Sequence, residues 1–332
     1  MIETKYCGLE LKSPLIVGAS RLTSDIETIK KAEEAGAGAV VIKSLFEEQI
    51  QMEHYQHDEQ MERYDDWHAE MTDIFPEENY SGAEEHLMWI RKTKEAVDLP
   101  VIASLNAVNR DTWIAYSQKL AEAGADALEL NFYSLPTDFE LTAAEIEEEQ
   151  VDILSSVVKA VKVPVSVKLS PYYTNPLNLI KRMDEAGAEG FVLFNRLFQP
   201  DIDVEKMANE YSYNLSAGNE YRLPLRFAGL LAGRTGASVC AGSGVDTPET
   251  AIKLLLAGSD AVQVVTGIYR HSMDFVTQVN DELRRWMRSK GFESIKDFKG
   301  SLGAEKNEYP KINKRSQYVR LLLNPWEYIV RT

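Results

Sequence analysis

A (β/α)8 TIM barrel is the fold this sequence predicts, and three observations predict it. One phrase recurs at helix ends: Ala35-Gly36-Ala37, Ala123-Gly124-Ala125, Ala186-Gly187-Ala188 and Ala257-Gly258-Ser259 each follow an amphipathic charged segment and precede an apolar, β-prone run. Two further apolar runs begin at Pro100 and Pro164, and proline both stops a helix and is tolerated at the first position of a strand. The runs are also near-uniformly apolar, as strands covered on both faces must be. With Pro14–Gly18 and Ser238–Ala241 they make eight strands, roughly 14–18, 38–43, 100–105, 126–132, 164–169, 190–195, 238–241 and 261–265, with helices between them. A doubly wound open sheet is the alternative, but it would leave two edges to protect.

Taken in order, the strand ends carry polar residues. Strand 1 gives way to Ala19-Ser20, and strand 2 closes on Lys43-Ser44. Residues 46–82 then form an acidic and aromatic connection longer than a barrel requires. Strand 3 ends at Asn106, strand 4 runs into Asn131 through Ser134, strand 5 carries Lys168 and strand 6 ends at Asn195. A second long insert spans 197–234. Both inserts lie at C-terminal strand ends, where barrel sites are built, so both are expected to cover the pocket.

Strand 7 stops in Gly242-Ser243-Gly244, an amphipathic helix runs from Thr247 to Leu256, and strand 8 stops at Thr266-Gly267. A glycine turn leading into a helix start presents unpaired backbone N–H groups, and two such turns side by side can hold a doubly charged phosphate. The end of strands 7 and 8 is a common phosphate position in barrels. The acidic run Glu145–Glu149 reads as a solvated helix start, and Phe275–Ser289 as a helix beyond the last strand. Residues 1–300 are therefore read as one barrel. Residues 301–332 form an extension, too apolar over Leu321–Val330 to be a free tail, and are expected to pack on the barrel or on a partner subunit.

Composition bounds the partners. The chain has 332 residues, 44% hydrophobic and 27% charged, which is ordinary for a soluble globular protein. A net charge of −16 argues against a nucleic-acid or anionic-membrane surface, so an anionic ligand needs a local pocket. Cys7 and Cys240 suggest neither a disulfide framework nor a cysteine metal site. No apolar run approaches the ~18 residues of a membrane span, and the first residues lack a signal-peptide layout. A cytoplasmic protein is expected. His54, His57 and His68 lie in the acidic insert without zinc-site spacing, and His86 and His271 are single, so no metal site is expected.

Two lysines and three amide side chains thus converge on the phosphate turns. A strand-borne lysine is often a rim residue or half of a salt bridge. Two that face the same turns favour a functional reading, because lysine beside an electron-accepting ring stabilises developing negative charge and amides hydrogen-bond the edges of a planar heterocycle.

Val41-Ile42-Lys43-Ser44, Glu129-Leu130-Asn131, Val167-Lys168-Leu169-Ser170-Pro171-Tyr172, the Ala241-Gly242-Ser243-Gly244 and Thr266-Gly267 turns, and Lys290-Gly291-Phe292-Glu293-Ser294 with the residues on to Gly300 carry a resemblance. Together they resemble the dihydroorotate dehydrogenase family, nearest its soluble class 1 members, from about Gly8 to about Gly300. The resemblance implies FMN at the C-terminal ends of the strands, and a reaction in which dihydroorotate loses a proton to a loop base and a hydride to flavin N5. It implies FMN contacts from Ala19, Ser20, Lys43, Ser44, Asn106, Asn131, Lys168, Gly242, Ser243, Gly244, Thr266 and Gly267, with Lys43 also beside the substrate.

The family's base follows the asparagine that ends strand 4 by three residues, within Asn-x-Ser-(Cys or Ser)-Pro-Asn. Here the stretch is Asn131-Phe132-Tyr133-Ser134-Leu135-Pro136, which puts Ser134 at the base position and Pro136 where a substrate-binding asparagine is usual. Arg196 stands where the residue after Asn195 is commonly serine. Substrate contacts are expected from Asn79, Asn131, Asn195 and Arg196. The reading this supports is oxidation of dihydroorotate or a similar cyclic amide-acid. The alternatives are a flavoenzyme acting on a different unsaturated acid or pyrimidine, and a non-catalytic flavin-binding protein. The resemblance also implies a role in pyrimidine biosynthesis, a soluble second electron acceptor and a homodimer.

Overall fold

A computed structural model describes residues 1–51, 82–133, 136–197, 199–210, 215–304 and 315–323. Eight parallel strands close a barrel: β1 (Leu15–Val17), β2 (Ala39–Phe46), β3 (Val101–Asn106), β4 (Ala127–Asn131), β5 (Val165–Leu169), β6 (Gly190–Leu193), β7 (Ser238–Ala241) and β8 (Ala261–Val264). Each pairs with the next, and β8 pairs with β1 through Val262 and Leu15, so no edge remains. The predicted (β/α)8 class is the observed one.

The helices between are α1 (Ile26–Glu34), α2 (Ala83–Ala96), α3 (Arg110–Glu122), α4 (Ala143–Ala160), α5 (Pro176–Glu185), α6 (Arg222–Leu231) and α7 (Pro248–Ala257). The short α8 (Thr266–His271) and the long α9 (Asp274–Lys290) follow β8. Local chemistry sets the starts. Thr247 caps α7 by accepting the Thr250 N–H, with Pro248 in the first turn, and Thr142 with Glu145 forms a capping box on α4. The acidic run 145–149 is therefore the start of an exposed helix.

Strand periodicity splits the core into two layers. Residues such as Val40, Ile42, Leu128, Leu130, Val165, Val167 and Phe191 face outward and pack under the helices. Ile16, Ala39, Val41, Ile102, Ala127, Val192, Cys240 and Ala261 face inward around the axis. The lower end of the axis is plugged by the antiparallel hairpin Thr4–Tyr6 with Leu9–Leu11. Thr4 Oγ1 donates to Asp260 O and Cys7 N to Ser238 Oγ, which ties the plug to the N-terminal ends of β8 and β7. The fit requires glycine at position 190: a Cβ there would stand 2.2 Å from Cys7 Sγ. Both cysteines are buried and free.

Further up the same inward face the residues turn polar, with Ser104, Asn106, Glu129, Asn131, Ser166, Lys168 and Gln263. That change from apolar to polar along the axis makes the C-terminal end the candidate site.

After β2 the chain is helical over 47–51 and then leaves the described residues. Within the second insert, Asp201–Asp203 and Ala208–Glu210 form a hairpin, and residues 215–221 lead into α6. Beyond α9 the chain is stitched to the barrel by Gly300 N to Leu255 O, Leu302 N to Leu256 O and Ala304 N to Gly229 O. The helix α10 (Arg315–Leu323) exposes Tyr318, Leu322 and Leu323 in the single chain, and the rest of the apolar stretch to Val330 lies outside the described residues. Among the described residues no helix is long and apolar enough to cross a membrane.

Candidate active site

Three asparagines on three strand ends are joined in one hydrogen-bonded series. Asn106 Nδ2 donates to Asn131 O at 2.7 Å and to Tyr133 O at 3.2 Å, so its amide orientation is fixed by two carbonyls. Asn195 Oδ1 accepts the Arg196 N–H at 3.0 Å, which turns Asn195 Nδ2 toward Asn131 Oδ1, 2.6 Å away. Asn131 is thereby left with its NH2, and Asn106 with its carbonyl oxygen, free of protein partners among the described residues. The series offers a planar ligand one donor group and one acceptor at fixed positions.

Beneath it lies a charged set. Register pairs Asn131 with Lys168, so their side chains leave adjacent strands at one level. Two residues down β4, Glu129 is 1% exposed. Gln263 Nε2 donates to Glu129 Oε2 at 2.5 Å, and Lys168 Nζ stands 3.8 Å from Glu129 Oε1, an ion pair without a hydrogen bond. The ammonium therefore keeps its N–H donors for the mouth of the barrel.

The glycine turns form the third part. Ala19, Lys168, Asn195, Arg196, Gly242, Ser243, Gly244, Gln263 and Thr266 line a cavity of about 160 Å3 together with Ser216. Gly244 has φ +64, and a Cβ there would meet Tyr221 N at 2.6 Å and Ala217 O at 3.0 Å, so only glycine suits the turn. Gly267 is equally confined, since its Cβ would lie 2.4 Å from Phe275 Cε1 and 2.7 Å from Val245 O. Ser216 joins the two turns. Its Oγ accepts the Gly244 N–H at 3.0 Å and lies 2.7 Å from Thr266 Oγ1. Whichever hydroxyl of that pair donates to the other, one hydroxyl proton remains for a ligand. Arg270 holds this wall in place by bonding Asp246 at 2.8 Å and Ser216 O at 3.0 Å.

On the far side of Asn106 a second cavity, of about 740 Å3, is lined by Lys43, Gln49, Trp113, Phe132, Tyr133 and Pro136 among others. The pairing of β2 with β3 shifts register between Ile42 and Leu45, and the bulge re-aims two residues. Ser44 turns inward to bond Ser104 Oγ at 2.8 Å, while Lys43 is exposed on the cavity wall. Glu47, 2% exposed, fixes the same wall by accepting the N–H groups of Val108 (2.5 Å) and Asn109 (2.8 Å). Burial works against its carboxylate charge, but these bonds outweigh burial and hold its pKa below the usual range.

His86, on α2, is pushed down to about 4, by burial first and by the Lys43 charge second. The native state therefore refuses a proton that the unfolded chain takes up near pH ~6.5, and stability drains away as pH falls from there toward 4, by about 3 kcal/mol at most. Urea midpoints at pH 7 and pH 5 should differ less in His86→Leu than in the parent; an equal difference would remove His86 as a source.

Among the expected site residues, Ala19, Lys168, Asn195, Arg196, Gly242, Ser243, Gly244 and Thr266 surround the smaller cavity, Lys43 and Asn106 the larger, and Asn131 links them. Ser20 and Ser44 are close by, with their hydroxyls engaged inside the chain. Ser20 Oγ donates to Gly18 O and accepts the Leu22 N–H. Arg196 is an ion-pair partner of Glu220 at 3.1 Å, so it brings the site little net charge. Ser134 and Asn79 lie outside the described residues. Glu129, Gln263 and Ser216 were not foreseen as site residues. The first two are visible in the sequence only as isolated polar residues within apolar strands.

A chain from Thermoplasma volcanium described as the catalytic subunit of dihydroorotate dehydrogenase B (NAD(+)) is 29% identical over 305 residues, covering 90% of this chain and 97% of its own. The Methanocaldococcus jannaschii protein of the same description is 25% identical over 297 residues, 87% of this chain and 94% of its own. The PreA subunit of the NAD-dependent dihydropyrimidine dehydrogenase of Escherichia coli K12 is 24% identical over 316 residues, 89% of this chain and 75% of its own. The sequence model of the dihydroorotate dehydrogenase family matches residues 1–287, the whole barrel with its polar mouth, and the chain belongs to that family of oxidoreductases acting on a CH–CH bond.

Proposed function

We propose that the chain oxidises dihydroorotate, or a cyclic amide-acid like it, with FMN held across the mouth of the barrel. The observation that carries this is the continuity of the site: the phosphate-sized cavity at the glycine turns, the Lys168 ammonium and the asparagine series lie side by side. The residues fit FMN by the chemistry of their donors. A dianionic phosphate suits the close backbone approach at the glycine turns and the one spare hydroxyl proton of Ser216 and Thr266, the Gly242 and Gly244 N–H groups being already bonded to Leu193 O and Ser216 Oγ. A ring edge with alternating donors and acceptors suits the Asn131 NH2, the Asn106 carbonyl and Lys168. When bound, FMN supplies a hydride acceptor at N5.

The chain's own residues do the rest. Asn131 and Asn195 orient the amide edges of the substrate ring, and Lys43, on the wall of the larger cavity, attracts its carboxylate. Ser134 removes the proton from the carbon adjacent to the one that gives up the hydride. A serine hydroxyl is a weak base, so that proton must pass on as it is taken. The C–H pair becomes a C=C bond, one proton leaves through Ser134, and the hydride leaves with its electron pair.

The electrons then go to a second, soluble acceptor. The relatives described as catalytic subunits with NAD(+) in their names make a partner subunit one route for them. Two cysteines in the whole sequence leave no room for an iron–sulfur cluster of this chain's own. A homodimer in the cytoplasm belongs to the same reading.

A second reading, a pyrimidine without the carboxylate, is favoured by Pro136 on the cavity wall and by the dihydropyrimidine dehydrogenase relative. Anaerobic reduction of the FMN-loaded protein by dihydroorotate and by dihydrouracil separates the two. Faster reduction by dihydroorotate is expected; reduction by dihydrouracil alone would establish the second reading. Gly244→Ala tests the phosphate end. A side chain at φ +64 against backbone atoms should cost about 1–3 kcal/mol and weaken FMN binding at least tenfold in fluorescence titration. Unchanged FMN affinity would move the phosphate elsewhere.

A further inference from the structure

The inward face of β4 runs Ala127, Glu129, Asn131 from bottom to mouth, so the carboxylate sits one layer, about 7 Å, beneath the asparagine series. It is 1% exposed, at the level where the barrel interior turns from apolar to polar. Its two oxygens are treated unequally. Oε2 is held by Gln263 Nε2 at 2.5 Å, and Oε1 faces Lys168 Nζ at 3.8 Å with no hydrogen-bond donor among the described residues. A buried carboxylate whose free oxygen points at an ammonium balances that ammonium's charge without drawing it down into a hydrogen bond.

Its field also reaches below. The Cys240 thiol and the Tyr6 hydroxyl are pushed up by burial, with Glu129 among the charges that add to the effect. Gln263, by its bond to Oε2, fixes the carboxylate in the orientation that leaves Oε1 3.8 Å from Lys168 Nζ.

We propose that Glu129 is a positioning residue that sets both the position and the uncompensated charge of Lys168 on the cavity wall, and would thereby hold down the midpoint potential of a flavin bound there. This rests on the FMN reading above. Reduction builds negative charge on the ring; an unbalanced ammonium beside it favours the reduced form, and a carboxylate 3.8 Å from that ammonium takes part of the advantage away. A lower potential makes the reduced flavin a better donor to the second acceptor.

Two variants read this out in the FMN-loaded protein, by midpoint potential from anaerobic dye titration rather than by turnover. Glu129→Gln keeps shape and an acceptor for Gln263 but removes the charge. The reduction equilibrium constant should rise tenfold or more, about 30 mV upward for a two-electron couple. Gln263→Leu keeps the charge and releases Oε2, so the carboxylate moves toward Lys168 and the potential should fall. Opposite shifts support the proposal; no shift, or shifts of one sign in both variants, overturn it. If Glu129→Gln does not fold, the sign in Gln263→Leu decides alone, a rise or no change overturning the proposal. A parent protein that binds no FMN would defeat the FMN reading itself, an outcome distinct from a flavin whose potential ignores Glu129.

Discussion

Lys168→Ala is expected to strip the protein of FMN and to lower its stability by about 3–5 kcal/mol, the usual cost of leaving one member of a buried ion pair alone. The size follows from where the pair lies. The Lys168 side chain is 14% exposed and that of Glu129 1%, so loss of the ammonium leaves a buried carboxylate without its counter-charge, and Gln263 satisfies only one carboxylate oxygen. The urea midpoint reports the stability loss, and gel filtration with absorbance detection reports the flavin. Combining the change with Glu129→Gln separates the two effects: the double variant should regain most of the stability, because no charge is left buried, but not the flavin. Equal stability of parent and Lys168→Ala would remove the buried pair as a source of stability.

Ser134→Ala should slow anaerobic reduction of the flavin by dihydroorotate about 100-fold or more while leaving FMN binding unchanged, since general base catalysis contributes on that scale. The position of Ser134 three residues after Asn131 is what assigns it, and Asn131 itself is locked between Asn106 and Asn195. Ser134→Cys sharpens the test. A thiol with pKa ~8.5 becomes a competent base in mildly alkaline solution, so the rate in this variant should climb with pH through that value. Stopped-flow traces measure both variants, and a Ser134→Ala protein reduced at the parent rate would take Ser134 out of the mechanism.

The barrel was legible because its signals are local. The Ala-Gly-Ala phrases close helices where the chain turns into a strand, and Pro100 and Pro164 stand immediately before β3 and β5. The glycine turns were legible for the same reason: Gly244 is confined by backbone, and the sequence shows such confinement as glycine. What could not be read came from contacts between distant segments. Ser216 and Thr266 are 50 residues apart and meet where Arg270 on α8 bonds both Ser216 O and Asp246. Arg196 reads as an added positive charge until Glu220 is seen beside it. The β2 bulge, which sends Ser44 inward and leaves Lys43 on the cavity wall, is a pairing irregularity with no mark in the sequence around it. Glu129 lay in plain view within Glu129-Leu130-Asn131, but its burial at the axis depends on strand register, which a single strand does not reveal.

The most direct test of the account is anaerobic addition of dihydroorotate to the purified, FMN-loaded protein while the visible flavin absorption is followed. Bleaching is expected, with one orotate formed per flavin reduced, and recovery of the yellow form when an oxidant is admitted. A protein that binds FMN stoichiometrically and stays yellow under dihydroorotate would contradict it.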